Sequence, residues 1–222
     1  MSVYLRQLKL GPMENFVYLV GDTDAKTCVI VDPAWDIDRA WAEAESEGYK
    51  VEGALITHGH FDHCNGVENL LAKKNVPVYV HPNELDYLDK GAPRGLFLDV
   101  PRDHVKRSNA GTVLTLGATK ITFLHTPGHT PGSQCFLVND RLIAGDTLFL
   151  GTCGRCDLPG SSPKDLFESL NGVIGKLPDE TILYPGHDYS RRGVSGPLGE
   201  EKKHNRFFGA HRLDEFLRLA GF

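Results

Sequence analysis

Within six residues, His58, His60, Asp62 and His63 set three imidazoles and a carboxylate in the run Thr57-His58-Gly59-His60-Phe61-Asp62-His63. At the chain's own histidine and aspartate frequencies, the pattern His-x-His-x-Asp-His arises by chance on the order of once in a thousand such sequences. Packing alone does not account for so many ligand-type side chains. The preceding Val51-Glu52-Gly53-Ala54-Leu55-Ile56 is a short, mostly apolar run of the buried-strand type. The cluster therefore falls where a strand ends and a loop begins, the usual place for a site in an α/β protein. It reads as most of a metal centre, and the remaining donors have to come from elsewhere in the chain.

The composition narrows the partners. Lysine and arginine number 24 against 29 acidic residues, a formal charge of −5, which argues against nucleic acid or an anionic membrane. No apolar run approaches membrane-spanning length. The N-terminal residues lack the charged start and apolar core of a signal peptide, so the expected location is the cytoplasm. Five cysteines, an odd number, then read as thiols rather than a disulfide framework. At 222 residues the chain can bury a real core. No interdomain linker interrupts it, and a single domain over residues 1–222 is expected.

Taken in order, residues 4–10, 15–20 and 27–32 read as strands separated by Gly-Pro and Gly-Asp turns. Ile37, Ala40, Trp41 and Ala44 then mark a helix capped by Asp36 and ended by Gly48. After the histidine cluster, Val67, Leu70 and Leu71 mark a second helix, followed by a strand over 78–80 and a short helix from Pro82. Residues 91–109 show no clear period. They read either as a surface connection with a short strand or turn, or as a segment around Leu96, Phe97 and Leu98 that caps the site or contacts a second subunit of a homodimer. Strands recur at 113–116, 121–125, 134–138 and 142–144, with a tight turn at Asn139-Asp140. Ser162-Pro163 opens a helix whose apolar stripe runs from Leu166 to Leu177. Residues 181–184 read as the last strand, and Leu213, Phe216 and Leu217 mark a C-terminal helix. Strands then helix, twice over, predict two similar halves stacked sheet to sheet, a four-layer αββα sandwich of the α/β class.

Three further candidates follow apolar strands: His129, Asp146 and His187. Each has a glycine immediately before it, which suits tight packing around a crowded site. Singly, each reads as structural rather than as a ligand. Taken with the first cluster, the set of seven is best explained by two adjacent metals, and imidazole with carboxylate suits zinc, iron or manganese.

The order His58-x-His60-x-Asp62-His63, His129, Asp146, His187 resembles the metallo-β-lactamase superfamily. The runs Thr126-Pro127-Gly128-His129-Thr130-Pro131-Gly132-Ser133 and Gly145-Asp146-Thr147-Leu148-Phe149 match it as well. The resemblance covers nearly the whole length. It implies that His58, His60 and His129 hold one metal, that Asp62, His63 and His187 hold the other, and that Asp146 bridges them. Two divalent ions about 3.5–4 Å apart share a hydroxide nucleophilic near neutral pH, zinc being the first expectation. Asp62 is then the catalytic residue that orients the hydroxide and helps move a proton to the leaving group. Cys64 reads as a packed thiol. Cys153 and Cys156 have redox-type spacing without a thioredoxin-like context.

Within the superfamily, Cys153-Gly154-Arg155 and Gly186-His187-Asp188-Tyr189 resemble the glyoxalase II-like group, hydrolases of glutathione thioesters. That resemblance implies a small-molecule thioester substrate, with Arg155 and Tyr189 holding the thiol carrier's carboxylate or amide. Two features depart from the group: Asp157 replaces a usual aromatic residue, and the longer C-terminal helical region is missing. The alternative is a persulfide dioxygenase. The Cys-Gly-Arg-x-Asp run at 153–157, His187-Asp188-Tyr189, and Gly199-Glu200-Glu201-Lys202 with Asn205 resemble that group, which uses one iron at positions matching His58, His129 and Asp146. Gly59, Phe61 and the region before His58 look more like the hydrolases. The basic residues Arg191, Arg192, Lys202 and Lys203 read as a solvated surface or as a rim for an anionic substrate.

Overall fold

Side chains along a strand alternate between two faces, and that alternation sorts the apolar residues of this chain into three cores. The computed structural model describes residues 3–97 and 100–222. The first half contains β1 (Val3–Leu10), β2 (Asn15–Asp22), β3 (Thr27–Val31), α1 (Ile37–Ser46), β4 (Lys50–Leu55) and α2 (Phe61–Cys64). It continues with α3 (Val67–Lys73), β5 (Val78–Val80), α4 (Pro82–Asp89) and β6 (Val105–Arg107). The second half begins with β7 (Val113–Leu116), β8 (Thr119–His125), β9 (Gln134–Val138), β10 (Arg141–Gly145), β11 (Leu148–Phe149) and β12 (Thr152–Cys153). It ends with α5 (Pro163–Glu168), β13 (Ile182–Pro185), β14 (Gly196–Pro197), α6 (Leu198–His204) and α7 (Leu213–Ala220).

Two six-stranded sheets result, ordered β1-β2-β3-β4-β5-β6 and β14-β13-β10-β9-β8-β7, with β11 and β12 forming a separate ribbon. In β2, Val17 and Leu19 face a core shared with Ile37, Ala40, Leu70 and Leu85 of the flanking helices. Phe16, Tyr18 and Val20 face the other way, onto Phe123, Phe136 and Val138 of the second sheet. On the far side of that sheet, Leu142 and Ala144 pack against Leu166, Leu170 and Phe216. The layers are helices, sheet, sheet, helices: the expected αββα sandwich. Among the described residues, no helix is long and apolar enough to cross a membrane.

Local signals placed most elements. Asp36 accepts from the Arg39 N–H at 3.0 Å at the start of α1, and Gly48 takes φ +77° where the chain leaves it. Ser162 caps α5 by accepting from the Asp165 N–H at 3.2 Å. Two expectations are corrected. The stripe from Leu166 to Leu177 predicts one helix, but after α5 the chain widens into a π turn over Ser169–Val173 and tightens into a 3-10 turn over Ile174–Lys176. Leu166, Leu170 and Ile174 stay buried throughout, so the stripe was a true sign of burial, whereas the turn geometry adjusted to the core. Residues 181–184 do not end the sheet: Gly196–Pro197 adds an antiparallel edge, a place where proline is tolerated, and α6 follows at once.

The segment 91–109 holds the short strand that one of its two readings allowed. Val105–Arg107 pairs in parallel with β5, a strand too short to display alternation. Upstream, the Leu96 carbonyl accepts from the Phe61 N–H at 2.9 Å, and Phe97 bridges to His60. The segment therefore abuts the histidine cluster. Leu98 lies outside the described residues.

The inter-sheet layer is the common support of both halves. Phe123 is fully buried there and meets Phe136 edge-on, with ring centroids 5.0 Å apart. Phe123→Ala is expected to destabilise the fold by about 3–5 kcal/mol, read as a lowered urea midpoint with an unchanged slope.

Candidate metal centre

All seven candidate donors emerge at one edge of the sandwich. His58 and His60 follow β4, and Asp62 and His63 lie in α2. His129, Asp146 and His187 follow β8, β10 and β13. Hydrogen bonds stitch the two sheets together at this edge. The Gln134 N–H donates to the Thr57 carbonyl at 2.9 Å, and the Phe16 N–H to that of Gly186 at 2.8 Å. The side-chain amide of Gln134 donates to Ile56 O at 2.8 Å. Glycines make room for Asp146: a Cβ on Gly186 would lie 2.3 Å from its Oδ1, and Gly145, at φ +49°, presses against Thr57.

The donors fall into two groups of three, His58/His60/His129 and Asp62/His63/His187, with the donor atoms of each group all within 4.8 Å of one another. Asp146 faces both. Its Oδ1 is 3.4 Å from His63 Nε2, and its Oδ2 is 3.6 Å from His129 Nε2 and 3.4 Å from His187 Nε2. Asp32, His58 and His63 form a third such group, but Asp32 is turned to the back of His63, away from the other donors.

Most of the imidazoles are held from behind, and this aims their other nitrogen at the centre. His63 Nδ1 is 2.9 Å from Asp32 Oδ2. His129 Nδ1 is 2.7 Å from the Arg155 carbonyl, and His187 Nδ1 is 2.8 Å from that of Met13. His58 Nδ1 lies 3.0 Å from Thr57 Oγ1. His60 is turned the other way round. Its Nδ1 stands 3.0 Å from both His58 Nε2 and His129 Nε2, while its buried Nε2 has no partner and Phe97 lies against the ring at 4.6 Å.

The electrostatics divide the site in the same way. Burial, reinforced by neighbouring imidazoles, drives His58 and His60 downward, His60 to about 3. Burial also lowers His129. These three are held as neutral rings with lone pairs free to bind a cation. At His187 burial works in the same direction, but the Asp146 and Asp62 carboxylates overcome it and raise the ring to about 10. Burial likewise disfavours ionised Asp62, yet the hydrogen bond with His187 and the charge of His63 bring it down to about 2. Asp146 is lowered against its own burial by His63 and His187.

Sequence reasoning missed the residues behind the donors. Asp32 accepts from the Thr57 N–H at 2.7 Å and from Thr57 Oγ1 at 2.6 Å, as well as facing His63. Its signal was an acid ending an apolar strand, the position the ligands occupy elsewhere. Asn15 Nδ2 donates to Asp62 Oδ2 at 2.9 Å, and Trp35 Nε1 donates to Asn15 Oδ1 at 2.7 Å. Nothing local in the sequence marks these two. Cys64 is a packed thiol whose Sγ–H donates to the His58 carbonyl at 3.4 Å. Cys153 is a free thiol pushed up to about 12 by burial, the opposite of a reactive thiolate.

A cavity of about 430 Å³ opens on the centre, walled by Met13, Phe61, Leu96, Phe149, Leu158 and Tyr189 with Thr152, Cys153 and Arg155. Arg155 reaches it at the mouth and is paired with Asp157 through two bonds of 2.9 and 2.8 Å. Tyr189 is 56% exposed and stacks flat on His187, centroids 4.5 Å apart. Of the expected basic rim, Arg192 is 3.5 Å from buried Glu201 and Lys202 binds Asp179 at 2.7 Å, so both are engaged in the fold.

Known proteins resemble this chain in sequence and fold. A sequence profile described as the metallo-beta-lactamase superfamily matches residues 10–187, a span that includes all seven donors. The probable polyketide biosynthesis zinc-dependent hydrolase PksB of Bacillus subtilis (strain 168) is 28% identical over 92% of this chain and 86% of its own. The crystal structure of ETHE1 from Myxococcus xanthus covers 98% of this chain and 89% of that one, with a TM-score of 0.82 and 27% identity. The crystal structure of TTHA1623 in a di-iron-bound form covers 91% and 99%, with a TM-score of 0.76 and 35% identity. The His/Asp groups at the sheet edge carry the kind of donors that divalent metal ions take, and the chain belongs to the metallo-β-lactamase superfamily.

Proposed function

We propose that this protein is a metal-dependent hydrolase that cleaves thioesters of glutathione or a similar thiol at a centre of two divalent cations. The observation that carries this reading is the pair of donor groups side by side, His58/His60/His129 and Asp62/His63/His187, with Asp146 facing both. The residues fit the ions. Asp146 Oδ1 is buried without a partner, and His58 and His60 present nitrogens to each other at 3.0 Å. A cation satisfies both. Bound there, two such ions lower the pKa of water and stabilise the oxyanion of an attacked carbonyl. Zinc is the first choice, in keeping with the zinc-dependent hydrolase named among the relatives, and iron or manganese also suits the donor set.

The chain's own groups do the rest. Asp62, fixed by Asn15 and lining the cavity, orients the attacking water and carries its proton to the departing thiol. The apolar walls receive the acyl group, and the cavity lies in the range usual for small-molecule sites, roughly 300–1,000 Å³. Arg155 and Tyr189 at the mouth hold the carboxylate or amide of the thiol carrier. A macromolecular partner such as nucleic acid or membrane has no part in this reading.

A second reading, persulfide dioxygenation at one iron held by His58, His129 and Asp146, is supported by the likeness to ETHE1 and by the resemblance of the run containing Glu201 and Asn205 to that group. Those two hold the loop between β11 and β12: Glu201 Oε2 accepts from the Gly151 N–H at 2.7 Å, and Asn205 Nδ2 donates to the Thr152 carbonyl at 2.9 Å.

Purified protein is expected to hydrolyse S-lactoylglutathione or a related thioester and to lose the activity on chelation. Asp62→Ala should abolish turnover with the fold intact by circular dichroism. No turnover across a thioester panel with both metal sites full would exclude this reading, and oxygen uptake with glutathione persulfide at one iron per chain would establish the second. Arg155→Ala should raise KM about five- to tenfold while kcat changes less than about twofold, the pattern of a lost binding contact. Asp32→Asn, which loosens His63, should weaken metal retention about 10- to 100-fold, measured by competition with a chromophoric chelator.

A further inference from the structure

Glu84 stands third in α4, after His81 at the cap and Pro82 at the first position. An acid there ordinarily lies in solvent and favours the helix start. Here it is fully buried, at 0% exposure, and both of its oxygens are directed away from its own helix. Oε1 accepts from the Gly59 N–H at 2.5 Å. Oε2 accepts from Thr130 Oγ1 and from the Gly132 N–H, each at 2.8 Å. Gly59 lies between His58 and His60, and Thr130 follows His129. We propose that Glu84 is a positioning residue for the metal centre, a single carboxylate that locks the loop bearing His58 and His60 to the loop bearing His129. The inference rests on the assignment of those three imidazoles as the ligands of one metal.

Three observations converge on it. First, the acid is held by neutral donors alone, since burial pushes its carboxyl up and only the bonds from Gly59, Thr130 and Gly132 oppose this. A buried carboxylate without a cation is costly, and an apolar side chain in its place would leave two backbone N–H groups of the ligand loops unpaired. Second, both glycines are shaped to it. A Cβ on Gly132 would come 2.3 Å from Glu84 Cβ, and one on Gly59 would come 2.9 Å from Oε1. Third, His60 is the one imidazole of its group without a polar partner behind the ring, because its Nε2 is unpaired. Its aim depends on where the backbone at 59–60 is held, and the bond from Gly59 to Glu84 holds it. The three imidazoles also bring no negative charge to a divalent cation, and Glu84 places a carboxylate on the loops that carry them.

The acceptor pattern makes the test sharp. A glutamine has the same shape but only one acceptor oxygen, so Glu84→Gln sets an NH₂ against either the Gly59 N–H or the Gly132 N–H and Thr130 hydroxyl. The full-length protein, stripped by a chelator and titrated with Co²⁺, should show one Co²⁺ step weakened about 10- to 100-fold in E84Q. Its d–d absorption band should shift, while any other step keeps its affinity. Thr130→Val, which removes one of the three donors, should move affinity and spectrum in the same direction by a smaller factor, and it carries the test if E84Q does not fold. Leu170→Ala, a core change remote from the centre, should lower the melting temperature while leaving Co²⁺ affinity and spectrum as in the wild type. Wild-type Co²⁺ affinity and spectrum in E84Q, or in T130V where that variant carries the test, overturn the inference even if the melting temperature falls. A wild-type chain that takes up no Co²⁺ overturns the assignment of the centre as well.

Discussion

Lone pairs that face one another repel, and buried ionised groups lose their hydration, so five imidazoles and two carboxylates crowded at one buried edge must be held there by the rest of the molecule. Nitrogens of His58 and His129 stand 3.0 Å from the same nitrogen of His60, and His63 and His187 present theirs to each other at 3.2 Å. A divalent cation turns each of these confrontations into coordination. The sandwich supplies the holding force. Its inter-sheet core fixes the distance between the halves, and bonds from Gln134 and Phe16 across the seam bring strand ends from both sheets to one line.

The restraint continues outward through groups that touch no substrate. Asp32 ties Thr57 and His63 together. Asn15 and Trp35 form a relay that fixes Asp62. Glu84 spans the two loops of the other donor group. Asp32, Asn15 and Glu84 are polar side chains buried at the back of the site, where a satisfied hydrogen-bond network rigidifies its surroundings. A rigid donor set of this kind limits reorganisation when charge develops on a substrate carbonyl. The mouth of the cavity is built differently, from exposed Tyr189, a self-paired Arg155 and apolar walls. Rigid chemistry at the base and a more open mouth are compatible with one superfamily acting on several substrates.

Much of this was legible in the residues. The strand over 15–20 and the capped helix after Asp36 depend on neighbours in sequence, and both stand in the structure as read. The helix after Ser162 was read only in part, because a stripe reports which residues are buried and not how many residues each turn contains. A short strand within 91–109 was allowed for but not placed at Val105–Arg107, because three residues cannot display a period. Asp32, Asn15 and Glu84 were passed over for a related reason: their partners lie 20 to 48 positions away, and an isolated acid or amide looks the same whether it faces water or a buried N–H.

The sequence by itself determined the donor types, their order and their placement after apolar strands, because ligand chemistry and strand periodicity are properties of short runs. It also determined the class of ion, since imidazole and carboxylate select among metals wherever they are assembled. The family resemblance already implied that the donors divide three and three with Asp146 between them; only the tertiary structure decided that His60 presents the opposite nitrogen and that a lone buried glutamate joins two ligand loops. Those features are set by distances between segments far apart in the chain, which exist only once two sheets have packed face to face.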